Sequence, residues 1–246
     1  MDPPLAIQAF VLPPDEIHVW WIDRLRERLE PADWENLLSA GERERMARYR
    51  FEPDRERYAL RHGLLRWLLA GYTGKPPAEL ALTRDRSGKP ILKGRELEFN
   101  LSSRQDWLTI GVSAVPVGVD IECVIPLPDL AAIVGRFFGP TERAELAALP
   151  IDRQTEAFFH LWTQKEAYLK AVGSGLDHPL QGPCGSADPD QPPRLREVDG
   201  SLARAARWSM AGVVPAPGVR MVVCWKAGTS KAVQWKRLQD LFPCGR

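Results

Sequence analysis

Asp120 and Glu122 are the residues of this 246-residue chain with the clearest capacity for chemistry. They sit in Val117-Gly118-Val119-Asp120-Ile121-Glu122, where Val117, Val119 and Ile121 alternate with the other three, the period-2 pattern of a half-buried strand. Both carboxylates then share a face. At about 3.3 Å of rise per residue they stand roughly 7 Å apart, close enough for two side chains to converge on one cation. Like charges so placed repel unless something positive lies between them. A solvated strand face is the plain alternative, and a bare Asp-x-Glu does not exclude it.

A second cluster lies about forty residues on, in Trp162-Thr163-Gln164-Lys165-Glu166-Ala167-Tyr168-Leu169-Lys170. Advancing by about 100° per residue, Phe158, Trp162, Leu169 and Val172 share one broad arc of a helix, and Lys165 and Glu166 fall inside that arc. Glu166 and Lys170 also form an i,i+4 pair in the favourable order, so an ordinary helix salt bridge accounts for Lys170. It does not account for Glu166, because a carboxylate on a core-facing side is costly unless paired or bound to a metal. Three acids and two lysines at a strand and helix junction suit a divalent cation holding a pyrophosphate.

The rest of the chain bounds the setting. Thirty-three basic and 32 acidic residues give a net charge of +1, so bulk electrostatics point to no nucleic-acid partner. Cys123, Cys184, Cys224 and Cys244 show no CxxC spacing, which argues against a zinc site or a disulfide scaffold and for reduced thiols. No apolar run approaches the roughly 18 residues of a membrane span and the N-terminus lacks a positive leader region, so a cytoplasmic protein is expected.

The elements that must position the acids can be read in order. Residues 5–22 read as two short strands around Pro13-Pro14, and Asp33 to Tyr49 and Asp54 to Tyr72 as two helices. These helices are dense in arginine, either as a solvated face with i,i+4 partners or as a basic wall for phosphates. Leu80 to Leu82 starts a strand, Ser87-Gly88-Lys89-Pro90 is a turn, and Glu98 to Ser103 is another strand. Trp107 to Val115 and Val117 to Cys123 read as a hairpin with Pro116 at its turn. Helices over Leu130 to Phe138 and Pro140 to Leu149 follow, then the long helix that Gly173 ends. Gly182 to Pro193 reads as a mobile surface loop, and Leu195 to Val198, Ala206 to Val213 and Val219 to Trp225 as a closing antiparallel sheet. Residues 231–246 read as a tail or short helix. His18, His62, His160 and His178 read as packed residues rather than bases.

Gly118-Val119-Asp120-Ile121-Glu122, followed by Trp162 to Lys170 and then Ala171-Val172-Gly173-Ser174-Gly175-Leu176, resembles the paired signature of the 4'-phosphopantetheinyl transferases, in their surfactin-synthetase-activating branch. The resemblance implies an α+β fold of two similar halves packed as a pseudo-dimer, antiparallel sheets against helices, with the active site in the cleft between them. Residues 1–115 would form the half that holds the 3'-phosphate and adenine end of coenzyme A, and 116–246 the half with the metal and catalytic motifs. It implies transfer of the 4'-phosphopantetheine arm of coenzyme A to a serine of an acyl or peptidyl carrier protein, with release of adenosine 3',5'-bisphosphate. Asp120, Glu122 and Glu166 would hold Mg2+. Glu166 would take the serine proton directly or through a bound water, and Lys170 would stabilise the leaving phosphate. Arg45, Arg57, Lys89, Ser102, Ser103 and Lys165, with Lys170, would contact coenzyme A. A monomer is implied, with no nucleic acid and no membrane among its partners. Two departures stand out: Glu42 replaces a basic residue of some relatives, and Ser103 stands where the family's Phe-Asn-Leu-Ser-His-Ser strand has histidine, so that either Arg104 substitutes or coenzyme A binds more weakly. Two other readings use the same residues: a Mg2+-dependent hydrolase of coenzyme A or nucleotides, and a non-catalytic module that binds coenzyme A or a carrier.

Overall fold

The computed structural model describes residues 6–23, 31–174, 179–228 and 231–241. Leu5, Gly175, Leu176, His178 and Cys244 lie outside them. Strand β1 (Glu16–Asp23) is followed by helices α1 (Pro31–Glu35), α2 (Ala40–Ala47) and α3 (Glu52–Thr73), then strands β2 (Leu82–Arg84), β3 (Pro90–Leu92), β4 (Glu98–Arg104), β5 (Trp107–Ser113) and β6 (Val117–Cys123). Helices α4 (Leu130–Phe137), α5 (Pro140–Ala148) and α6 (Ile151–Val172) come next. Strands β7 (Pro183–Cys184) and β8 (Glu197–Val198), helix α7 (Leu202–Ala205) and strands β9 (Trp208–Val213), β10 (Val219–Lys226) and β11 (Ala232–Arg237) complete the order.

Two sheets carry the architecture, one ordered β11-β1-β5-β4 and the other β6-β10-β9. All pairings are antiparallel except β1 with β11. Strand β1 is buried on both faces, and alternation sends its side chains to different cores. Trp20 and Ile22 join Leu64, Leu68 and Leu69 of α3, whereas Ile17, Val19 and Trp21 join Val117, Val119 and Ile121 of β6 with Met221 and Val223 of β10. The other face of the second sheet gives Val222 and Cys224 to Ala167, Tyr168 and Leu169 of α6. Four layers result: α3, first sheet, second sheet, α6. Directly paired residues share a face, so Asp120, opposite Val222, and Glu122, opposite Arg220, are turned toward α6.

Gly118 lets that last layer close. A Cβ there would stand 2.2 Å from both the Ala167 carbonyl oxygen and the Ala171 nitrogen, backbone atoms that cannot swing away. The glycine contributes little to the alternation pattern, but it sets how near β6 and α6 approach.

Several elements differ from the sequence reading. Asp33 to Tyr49 is two helices, because Ser39 starts α2 with a capping box in which its hydroxyl accepts from the Glu42 N–H and Glu42 accepts from the Ser39 N–H. Residues 6–12 form no strand; Phe10 instead donates its N–H to the Gly71 carbonyl and packs among Trp20, Trp67 and Tyr72. Strands β5 and β6 are not a hairpin: β5 pairs with β4 around Gln105 and Asp106, and β6 pairs with β10 in the other sheet. Residues 183–187 are buried rather than a mobile surface loop. Within 231–241, Ala232–Arg237 is a strand, β11, which completes the first sheet beside β1; the short 3-10 helix Leu238–Leu241 follows, with Leu238 fully buried in the α3 core, and 242–246 lie outside the described residues.

Gly118→Ala is expected to lower stability by about 1–3 kcal/mol, the cost of overpacking where backbone must move. Urea unfolding measures it.

The candidate active site

Strand β6 and helix α6 bring Asp120 and Glu122 up against Glu166 and Lys170, and the latter two line a cleft of about 490 Å³. Ser87, Lys89, Asn100, Glu166, Leu169 and Lys170 are among the residues lining it, with Phe137, Pro179 and Leu180 adding apolar wall. Asp120 is 2% exposed. Its Oδ1 accepts from the Lys170 ammonium at 2.5 Å and from the Ser102 hydroxyl at 2.8 Å, while its Oδ2 is buried without a hydrogen-bond partner. The Arg104 Nε lies 3.1 Å from Glu122 Oε2. Arg104 is thus engaged with a carboxylate, which differs from the expected substitute for histidine at a phosphate.

The three acids feel one another. Burial, then the charge of Asp120, pushes Glu122 up to about 7 against the opposing pull of Arg104 and Lys170. Burial, then Asp120, also raises Glu166, and Lys170 opposes the rise. Among the described residues no group of three or more His, Cys, Asp or Glu side chains is gathered tightly enough to hold a metal ion. The positive charge at Asp120 is the Lys170 ammonium. The donor set nevertheless fits a hard cation: oxygen ligands only, two with raised proton affinity, and a third with an unpartnered buried oxygen.

The other expected contacts are spread more widely. Lys89 lines the cleft, and its ammonium donates to the Val117 carbonyl at 3.0 Å and the Ala171 carbonyl at 3.4 Å, tying the first half to β6 and to the end of α6. Asn100 accepts the Val119 N–H through Oδ1 at 2.9 Å, so Asn100 and Ser102 together stitch β4 to β6. Ser103, next along β4, points by alternation to the opposite side from Ser102. Arg45 lines a separate concavity with Gly41, Arg48 and Tyr49, and Arg57 is exposed beside Asp54 at 3.6 Å. Glu42 pairs with the buried Arg66 and caps α2, so its acidity serves the fold.

Lys165 is turned away from the cleft, contrary to its reading as a coenzyme A contact. It and Glu142 are both 0% exposed and paired at 2.7 Å. Lys165 also donates to the Leu180 and Pro183 carbonyls, Glu142 accepts from the Gly139 and Gly185 N–H groups, and Gln164 bonds both the N–H and the carbonyl of Ser186. These side chains satisfy the backbone of the buried 183–187 segment, which has no full strand partner. The capping pattern of Pro140-Thr141-Glu142 marks a helix start, but nothing in sequence links Glu142 to a lysine on the next helix. The described histidines pack against neighbours: His18 bonds the Tyr72 hydroxyl, His62 stacks on Tyr58, and burial lowers both His62 and His160 to about 4.

Buried Asp120 and partly buried Glu122 on β6 thus lie against Glu166 and Lys170 of α6. Comparison with known families gives the class. Residues 30–114 match the model of the 4'-phosphopantetheinyl transferase N-terminal domain, and residues 116–214 match that of the 4'-phosphopantetheinyl transferase superfamily. The chain is 34% identical over 206 residues to the 4'-phosphopantetheinyl transferase HetI of Nostoc sp., covering 82% of this chain and 84% of that one. It is 30% identical over 166 residues to the 4'-phosphopantetheinyl transferase Sfp of Bacillus subtilis (67% and 73%), and 31% identical over 258 residues to a phosphopantetheinyl transferase of Thraustochytrium sp. (97% and 87%). The chain belongs to the 4'-phosphopantetheinyl transferase superfamily, in its two-domain form.

Lys165→Met should cost about 3–5 kcal/mol in urea unfolding, because it strands the Glu142 carboxylate in the core. A residue that only held phosphate would instead raise KM for coenzyme A at unchanged stability. A second expectation concerns pH. Glu122 binds its proton more tightly folded (about 7) than unfolded (4.5), so its contribution to stability is complete below 4.5 and is lost as pH rises through about 7. In EDTA-treated protein, Glu122→Gln should therefore gain stability on wild type as pH rises from 5 to 8; parallel profiles would contradict the assignment.

Proposed function

We propose that this 4'-phosphopantetheinyl transferase uses Asp120, Glu122 and Glu166 to hold Mg2+ and binds the pyrophosphate of coenzyme A at the mouth of the cleft beside Lys170. The observation that carries the reading is the divided state of Asp120, one oxygen fixed by Lys170 and Ser102 and the other buried without a partner. The raised proton affinities of Glu122 and Glu166, caused first by burial and then by the charge of Asp120, support it, since buried carboxylates near a like charge are favoured by an added positive one.

In this reading the serine hydroxyl of the carrier attacks the phosphorus bearing the pantetheine arm. A serine oxygen–phosphorus bond forms, the anhydride bond breaks, and adenosine 3',5'-bisphosphate leaves. Mg2+, when bound, offsets the pyrophosphate charge. Glu166 takes the serine proton directly or through a water, a role suited to a carboxylate whose proton affinity is raised. Lys170 meets the charge that builds on the leaving phosphate. Its ammonium already faces the cleft and reaches across to β6. Arg45 and Arg57 on α2 and α3, with Lys89, would hold the adenine and 3'-phosphate end. The halves divide near Val115, with β11 returned to the first sheet, and the protein acts as a cytoplasmic monomer.

Asp120→Ala should leave a folded protein that no longer adds the phosphopantetheine mass to an apo-carrier supplied with coenzyme A and Mg2+. Near-normal mass shift removes Asp120 from the site. Lys170→Ala should cut turnover by about 100-fold or more, in the range of losing a transition-state donor. Hydrolysis of coenzyme A at equal rate without carrier would favour a hydrolase instead.

A further inference from the structure

A serine hydroxyl has a single proton to give, so the partner that receives it tells what the residue does. Ser102 is 7% exposed on β4. It donates to Asp120 Oδ1 at 2.8 Å and accepts from the Lys170 ammonium at 2.9 Å, while Lys170 itself reaches the same Oδ1. The three groups close a ring whose members come from β4, β6 and α6. The one proton Ser102 can give is taken by Asp120, leaving none for a phosphate oxygen, and on the same face the Asn100 Oδ1 accepts the Val119 N–H.

We infer that Ser102 is a positioning residue for Asp120 and Lys170, and not a contact for the 3'-phosphate of coenzyme A. Its hydroxyl holds Oδ1 against the ammonium and thereby fixes the rotation of the carboxylate. Oδ2 is then the oxygen without a protein partner. The first half of the molecule so contributes to the chemistry through a hydrogen bond between halves, as well as through binding. Without Ser102, the Asp120 side chain is free to turn both oxygens toward Lys170, an ion pair that would compete with a cation. This inference rests on Asp120 acting as proposed above.

Two measurements on Ser102→Ala and Ser102→Thr test it. The first is steady-state transfer to an apo-carrier at varied coenzyme A. The second is calorimetric affinity for adenosine 3',5'-bisphosphate against adenosine 5'-monophosphate, whose ratio reads any contact to the 3'-phosphate without turnover. A positioning role predicts that kcat falls about 10- to 100-fold in Ser102→Ala, the range seen when a partner of a metal ligand is removed. Threonine restores most of it, and the affinity ratio stays at the wild-type value. The inference is overturned if the ratio falls about tenfold or more, as loss of a hydrogen bond to a charged group would give. It is equally overturned if kcat is unchanged, or if threonine is no better than alanine. Should Ser102→Ala fail to fold, Ser102→Cys, a similar shape with a weak donor, is judged by the same outcomes. Asp120→Ala separates the two levels: if it is inactive while Ser102→Ala turns over normally, only the positioning role falls. If Asp120→Ala is itself active, the reading of the site falls with it.

Discussion

Backbone contact between β6 and α6 at Gly118 is the constraint on which the site depends. With no side chain at that position, the helix lies directly on the strand, within 2.2 Å of where a Cβ would be. Glu166 and Lys170 are thereby brought level with Asp120, two residues from the glycine, and with Glu122. A single methyl would push the helix outward and separate Glu166 and Lys170 from Asp120 and Glu122. Every layer behind it keeps the strand from retreating: Val117, Val119 and Ile121 on its other face are fixed in the core against β1 and β10.

Such closeness has an electrostatic consequence. Two carboxylates roughly 7 Å apart repel by about 2 kcal/mol at an effective dielectric constant near 20. The protein offsets part of this with Lys170 at Asp120 and Arg104 near Glu122. Burial first, and then what remains of this repulsion from Asp120, raises the proton affinity of Glu122 and Glu166. Adjacent residues on α6 meet opposite fates. Lys165 is sealed into the core with Glu142 and fastens the segment 180–185, whereas Glu166 looks into the cleft. One residue of helix rotation, about 100°, separates a role in the fold from a role at the site.

The placement of the acids was legible in the sequence because it rests on local periodicity. Alternation along 117–122 put Asp120 and Glu122 on one face, and the helical arc showed Glu166 misplaced for a mere surface charge. The same arc could not separate Lys165 from Glu166, since α6 is buried over more of its circumference than an amphipathic surface helix. Val172, counted within that arc, is exposed. What sequence could not supply was pairing between distant elements. The Lys165–Glu142 pair, the return of β11 to β1 and the stitching of β4 to β6 by Asn100 and Ser102 join segments with no shared local pattern. The false hairpin of β5 and β6 has the same origin: a proline-bearing turn between two strands does not say whether they pair or part into separate sheets. Ser39 and Glu42, by contrast, carried a readable helix start that a longer helical reading overrode.

The central claim is that these acids act as one cation site. Titration of Mn2+ into the coenzyme A-bound protein, followed by electron paramagnetic resonance, tests it directly. The account predicts a tight site in the wild type that Asp120→Asn, Glu122→Gln and Glu166→Gln each weaken strongly while the fold persists. Wild-type Mn2+ affinity in all three variants would contradict it.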